Sequence, residues 1–275
     1  MLAIVTALHC EAQPIISNLK LKRVISPAGT VLFRGEDAFL TVSGVGKVKS
    51  AIAAAALLEY LGDRSKTVLV NIGVCGSKLS HKPGEALLVN KIIDSATGRC
   101  YYPDILIRHS FKEGALETSD QPVTKMTQEV RGDVVDMEAS GFCEAAFKYL
   151  SSAQIAVIKT VSDNCDAERL MKGDISSLIG ETWLAAKPYC YSLLELLSSS
   201  GGATLTREEL ELLEKIAQGL KLTSYQRSLL KRLSLQRKSR GLELSQELFP
   251  LDENQVANKD ERRAAFERIT DILVA

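Results

Sequence analysis

The chain has 275 residues, 45% of them hydrophobic and 25% charged, with 34 basic side chains against 34 acidic ones. That length fills one large core, or one domain plus an appendage, and the composition is ordinary for a soluble globular protein. Zero formal charge excludes a global pull toward nucleic acid or a membrane surface and leaves only local patches to supply one. No apolar run approaches the roughly 20 residues of a membrane helix. The first residues, Met-Leu-Ala-Ile-Val-Thr-Ala, lack a basic leader and read as a strand. Six dispersed cysteines without a Cys-x-x-Cys pair are expected to be reduced thiols in a cytoplasmic protein. The three histidines show no metal-ligand spacing, so neither a metal nor another cofactor is expected.

In chain order, an apolar strand over 2–7 stops at Leu8-His9-Cys10-Glu11, and an amphipathic helix with Pro14 near its start runs to about Leu19. Thr30–Arg34 and Ala38–Val42 flank Gly35-Glu36-Asp37 as a hairpin. The loop Ser43-Gly44-Val45-Gly46 precedes an alanine-rich helix over Lys47–Leu61. Thr67–Ile72 and Ala86–Ile93 read as strands, the first closed by Gly73-Val74-Cys75-Gly76. The stretch 95–135, broken by Pro103, Gly114 and Pro122, reads as long loops around one short strand. Residues 154–161 are nearly all apolar or β-branched, as a strand covered on both faces should be, and a helix follows from about Ser176 to Leu197.

Strands alternating with helices predict an α/β domain over 1–197 with a mixed, mostly parallel central sheet. Residues 198–202, Ser-Ser-Ser-Gly-Gly, read as a linker, and 203–275 as an all-helical appendage. Thr206-Arg-Glu-Glu209 is a capping box. Further helices are expected over Thr223–Arg240 and Lys259–Val274.

Two carboxylates stand out. Asp136-Met137-Glu138 opens a small-residue helix, and Val161-Ser162-Asp163 ends a buried strand, where open α/β sheets gather ligands. Alone, Glu138 reads equally as a helix N-terminal charge and Asp163 as a cap. Glu11 and the two glycine-rich loops, whose backbones can approach a ligand closely, add strand ends of the same kind. In this order, Glu11, Ser43-Gly-Val-Gly, Gly73-Val-Cys-Gly, Asp136-Met-Glu and Val161-Ser-Asp, residues 1 to about 197 resemble the nucleoside phosphorylase and nucleosidase superfamily. The nearest branch is the 5'-methylthioadenosine/S-adenosylhomocysteine nucleosidases.

The resemblance implies roles. Glu11 activates water for attack at the anomeric carbon, Met137 packs beneath the ribose, and Glu138 accepts hydrogen bonds from its hydroxyls. Asp163, oriented by Ser162, protonates the purine at N7. Val45, Gly46, Gly76 and Lys159 lie against the substrate. It implies a homodimer, a purine nucleoside as substrate, with a 5'-modified adenosine such as 5'-methylthioadenosine or S-adenosylhomocysteine the particular expectation, and hydrolysis. Phosphorylases carry Gly-Asp-Pro-x-Arg after the first strand, whereas Glu11 here would repel phosphate.

The chain also departs from the pattern. Lys159 stands where nucleosidases commonly have arginine, Val74 where a serine helps hold water, and no phenylalanine matches the purine-stacking position. Tyr101-Tyr102 offers a substitute wall, from this subunit or a partner. Cys10, Cys75 and His9 read as packing residues. Alternatives therefore stand: a purine nucleoside phosphorylase, a futalosine-type hydrolase, or a non-catalytic nucleoside-binding module. The acid-free basic run 221–240 reads either as a contact for nucleic acid or an acidic protein, or as a solvated face.

Overall fold

The computed structural model describes residues 1–26, 29–77, 81–124, 130–165, 172–199, 205–239, 243–244 and 258–274. Two compact units divide the chain, Met1–Leu197 and Ser198–Ala275.

In the first unit the elements run β1 (Leu2–Thr6), α1 (His9–Leu19), β2 (Lys22–Val24), β3 (Val31–Arg34), β4 (Ala38–Val42), α2 (Lys47–Leu61), β5 (Val68–Gly76), β6 (Ala86–Asp94) and β7 (Cys100–Tyr101). They continue through β8 (Lys112–Thr118), β9 (Val134–Asp136), α3 (Ala139–Tyr149), β10 (Ile155–Asp163) and α4 (Lys172–Ser199). All the strands belong to one mixed sheet. Strands β4, β1, β5 and β10 lie side by side and parallel. Beyond β10 the sheet continues through β6, β8 and β9, and β9 returns to β5 by the pair Gly76↔Val135. Five strands thus close into a ring, while β3 and β2 extend the open end as an antiparallel meander. The longest registers, β10 with β5 and β6 with β8, are parallel.

Helices cover both faces because the strands are apolar on both. Along β10, Ile155 and Val157 enter the core shared with α2 and α3, while Ala156 and Ile158 enter the one shared with α1 and α4. The small residues of α3 permit a close crossing: a Cβ on Gly141 would stand 2.0 Å from the carbonyl oxygen of Lys47, at the start of α2.

Several expectations need correction. The stretch 95–135 holds β7, β8 and the start of β9, not one short strand; these pair through long-range registers that Gly114 and the brevity of β9 conceal locally. Helix α1 begins at His9, so Pro14 sits inside it. The Glu11 carboxylate reaches back to the amide of Leu8, which opens the helix earlier. Strand β2 was not expected. Asp136 ends β9 rather than opening a helix, and α3 starts only after Glu138. Helix α4 starts earlier than Ser176 and runs through Ser199 into the expected linker, whose remaining residues 200–202 lie outside the described ones.

The second unit contains α5 (Arg207–Gly219), α6 (Ser224–Ser239) and α7 (Lys259–Val274). Each opens on a reciprocal cap: Thr206 with Glu209, Thr223 with Gln226, Asn258 with Glu261. Leu213, Ile216, Leu220, Leu230, Phe266, Ile269 and their neighbours form a separate core. Arg240, expected in the second helix, lies outside the described residues.

Candidate active site

Because β1, β4, β5 and β10 are parallel, their carboxyl ends share one edge of the sheet. Strand β9 runs against β5 but pairs through the last residue of β5, so Asp136-Met137-Glu138 emerges at that same edge.

Glu11 lies in the first turn of α1, 2% exposed. Its Oε2 accepts from the amides of Ala7 (2.9 Å) and Leu8 (2.8 Å), and its Oε1 from the amide of Val74 (2.9 Å). Burial raises its pKa, while those amides and the charge of Lys159 pull it back. A Cβ on Gly73 would stand 2.8 Å from Oε1, so only glycine lets β5 pass this close to the carboxylate.

Glu138, also buried, accepts from the amides of Gly46 (2.9 Å) and Met137 (3.3 Å). Gly46 has φ 110°, a conformation glycine tolerates and β-carbon-bearing residues resist. Burial pushes the Glu138 carboxyl up to about 7, with the Asp136 charge adding to the shift and Lys159 opposing it.

Lys159, 1% exposed, sits on β10 with its Nζ 2.9 Å from Asp136 Oδ2. Burial alone would lower its pKa, but Asp136, Glu138 and Glu11 together raise it. Asp136 also accepts from the Thr118 hydroxyl (2.7 Å) and the Ala139 amide (2.9 Å), which ties β8, β9, α3 and β10 together. One lysine therefore offsets three carboxylates.

Asp163 ends β10. Its Oδ1 accepts from the Cys165 amide (2.8 Å), and its Oδ2 is 2.6 Å from Ser162 Oγ, which is also 3.1 Å from the Cys75 carbonyl. Ser162 has one proton for two neighbours. A Cβ on Gly76 would meet Asp163 Oδ1 at 3.3 Å, so Gly76 adjoins this carboxylate as Gly73 adjoins Glu11. Three residue steps separate those glycines, about 10 Å along β5.

Glu11, Glu138, Lys159, Gly46 and Met137 are linked in this network, and Ser162, Asp163 and Gly76 form a second group farther along β5. Val45 is exposed on its turn, with no polar contact from its side chain. Asp136 was given no role of its own by the sequence, and Gly73 was read as leaving room for a ligand rather than for Glu11; their contacts depend on strands distant in the chain. Tyr101 is committed elsewhere: its hydroxyl donates to Glu144 and its ring packs on Phe147, centroids 6.0 Å apart, along α3. Tyr102 is 57% exposed. Burial pushes the Cys75 thiol up, away from a nucleophilic thiolate. Among the described residues no cluster of three or more His, Cys, Asp or Glu is arranged to hold a metal ion.

The mixed sheet flanked by helices is similar to the fold of solved nucleosidase structures. Residues 1–113 match the sequence model of the phosphorylase superfamily. The 5'-methylthioadenosine/S-adenosylhomocysteine nucleosidase of Helicobacter pylori superposes with a TM-score of 0.55 at 20% identity, covering 70% of this chain and 97% of its own. Futalosine hydrolase of the same organism gives 0.54 at 20%, again covering 70% and 97%. The 5'-methylthioadenosine nucleosidase of Arabidopsis thaliana gives 0.55 at 18%, covering 71% and 95%. At these identities the likeness establishes the fold. No curated protein sequence matches the chain.

Proposed function

We propose that the chain is a member of the phosphorylase superfamily that hydrolyses the N-glycosidic bond of a purine nucleoside, with a 5'-modified adenosine as substrate. The observation carrying this reading is the seating of Glu11 on three backbone amides. Those N–H groups would otherwise be the natural cradle for a phosphate nucleophile. With a carboxylate already bound to them, an incoming anion meets negative charge and no free donor, whereas water finds an acceptor in Oε1. This favours hydrolysis over phosphorolysis.

Cleavage builds positive charge on the sugar, and the purine must leave as a near-neutral base. In this reading Glu11 orients and deprotonates water and faces the oxocarbenium-like sugar. Glu138 accepts from the ribose hydroxyls, with Met137 and the Val45-Gly46 turn beside the sugar. Asp163 donates to purine N7. The 2.6 Å hydrogen bond that the Ser162 hydroxyl donates to Asp163 supports that last role by orienting the carboxyl. Lys159 acts indirectly, as the charge that keeps the acidic cluster tenable, and Gly76 leaves room beside Asp163.

Two features bear on the assembly. Val45 on the turn before α2 and Val48 and Ile52 on α2 are exposed apolar side chains at three- and four-residue spacing beside the sugar side of the site, and Tyr101 is committed to α3 rather than to a purine wall. Both support a homodimer as the working form.

The test is a product-detected screen of nucleosides with and without phosphate. Free adenine or hypoxanthine and free sugar are expected in phosphate-free buffer; a strict phosphate requirement would make it a phosphorylase. Asp163→Asn is expected to lower kcat by about 10²–10⁴-fold with the circular dichroism spectrum retained. Near-normal turnover would remove Asp163 from the acid role.

A further inference from the structure

The helical unit consumes much of the positive charge that its sequence displays. Arg227 donates to Glu214 (2.7 Å) and to the Leu222 carbonyl (3.2 Å), and Lys238 pairs with Glu209 (2.6 Å). Arg237 donates to the carbonyls of Ile272 (2.8 Å) and Glu243 (3.3 Å). These three bind the unit together and are not spare cations.

What remains is a narrower stripe. Lys221, Ser224, Tyr225, Ser228, Lys231 and Arg232 are all exposed and recur at three- and four-residue intervals, one face of α6 and the turn before it. The stripe contains no carboxylate. Among the described residues Lys221, Lys231 and Arg232 make no ion pair. Leu230 and Leu233 point the opposite way, into the core with α5 and α7. Tyr225 is 74% exposed with no core contact to explain it.

The stripe is held firmly. The reciprocal Thr223–Gln226 cap fixes the start of α6. Lys221, at φ 50°, occupies the left-handed position after α5, and the amides of Lys221 and Leu222 close onto the carbonyls of Gln218 (3.0 Å) and Ala217 (2.9 Å). Glycine would suit that backbone better, yet a lysine stands there at the end of the cationic row. Helices α5 and α6 are joined by the short turn 220–223, the spacing of a helix-turn-helix.

We infer that this stripe of α6 docks into the major groove of double-stranded DNA, with Lys221, Lys231 and Arg232 on phosphates and Ser224, Tyr225 and Ser228 between them. Ser224 and the Lys231–Arg232 pair lie about 11 Å apart along α6, with Lys221 on the turn before it, a span comparable to a groove about 12 Å wide. An anionic membrane is disfavoured because the stripe has no apolar row to insert beyond Tyr225. An acidic protein would need a buried anchor cluster, and one tyrosine does not make one. The A-form major groove is too narrow for a helix, which separates DNA from duplex RNA.

The test uses the full chain, a fluorescent DNA duplex of about 20 base pairs, and anisotropy titrations across a salt series. Three phosphate contacts predict a log–log salt slope near −3 per bound chain. The double variant K231E/R232E is expected to weaken binding more than tenfold and flatten the slope by about two, at unchanged melting temperature. The charge-matched control K22E/R23E, on β2 of the other unit, should bind as the parent does. Equal binding by K231E/R232E and the parent would overturn the inference, as would equal affinity for duplex RNA. Absence of duplex binding at low salt, or tighter binding to a polyglutamate peptide or to phosphatidylserine vesicles, would overturn it too.

Discussion

At the scale of single residues, the buried charges set the behaviour of the candidate site. The Glu138 carboxyl has its pKa lifted from the ordinary 4.5 to about 7 by burial, with Asp136 adding to it. The folded chain therefore holds this proton more tightly than the unfolded chain does. Its stabilising contribution is complete below about 4.5 and is lost as pH rises through about 7. Urea unfolding at about pH 5 and about pH 8 should show the parent losing on the order of 1–3 kcal/mol more than Glu138→Gln over that interval. Equal pH dependence in the two proteins would refute the shift. The Lys159–Asp136 pair gives a second expectation. Lys159→Met leaves Asp136 buried against Glu138 without a cation, and should cost about 3–5 kcal/mol; adding Asp136→Asn should recover part of that loss. If the double variant is no more stable than the single one, the pair is not the source of the cost. That Glu11 follows the first strand and Asp163 ends a buried one was readable from apolar periodicity, while their grouping with Glu138 came from the family resemblance. The pairing of Lys159 with Asp136 was not, since it depends on β9 and β10 meeting through strands far apart in sequence.

Among the elements, those buried on both faces announced themselves. Strands β5 and β10 are mostly apolar or β-branched, interrupted by Asn71 in one and Lys159 in the other, and α2 is an unbroken alanine-rich segment. The short strands β2, β7 and β9 have two or three residues each, too few to show a period, and their existence is decided by neighbours. Pro14 misled in a different way, because a helix starting at His9 keeps it despite the lost amide. The packing of α3 on α2 was visible only as a run of small residues, and the structure gives it a specific contact. Gly141→Ala would push a methyl group to within 2.0 Å of the Lys47 carbonyl oxygen. It should destabilise the fold by about 3 kcal/mol or more, read as a lower denaturant midpoint, although alanine is the better helix former. An unchanged midpoint would mean the helices separate at little cost.

For the molecule as a whole, two units with separate cores imply that loss of one core need not melt the other. The break in character after residue 197 was readable from the end of strand patterning, while the division of labour among the cations of α6 required side-chain partners. The ring of five strands has a further consequence. A strand inside a closed circuit offers no free row of amides and carbonyls, so the ring is protected from edge-to-edge association. The meander is not: it ends in β2, whose outer edge pairs with no strand among the described residues. That strand is only three residues long and carries Lys22 and Arg23, both exposed. Like charges and brevity oppose the addition of a strand from another copy. Replacing both residues with valine should leave the melting temperature nearly unchanged while promoting concentration-dependent aggregation, measurable by light scattering; a variant that stays dispersed would show that β2 needs no such guard. A three-residue edge strand thus governs how the protein behaves in a crowded solution.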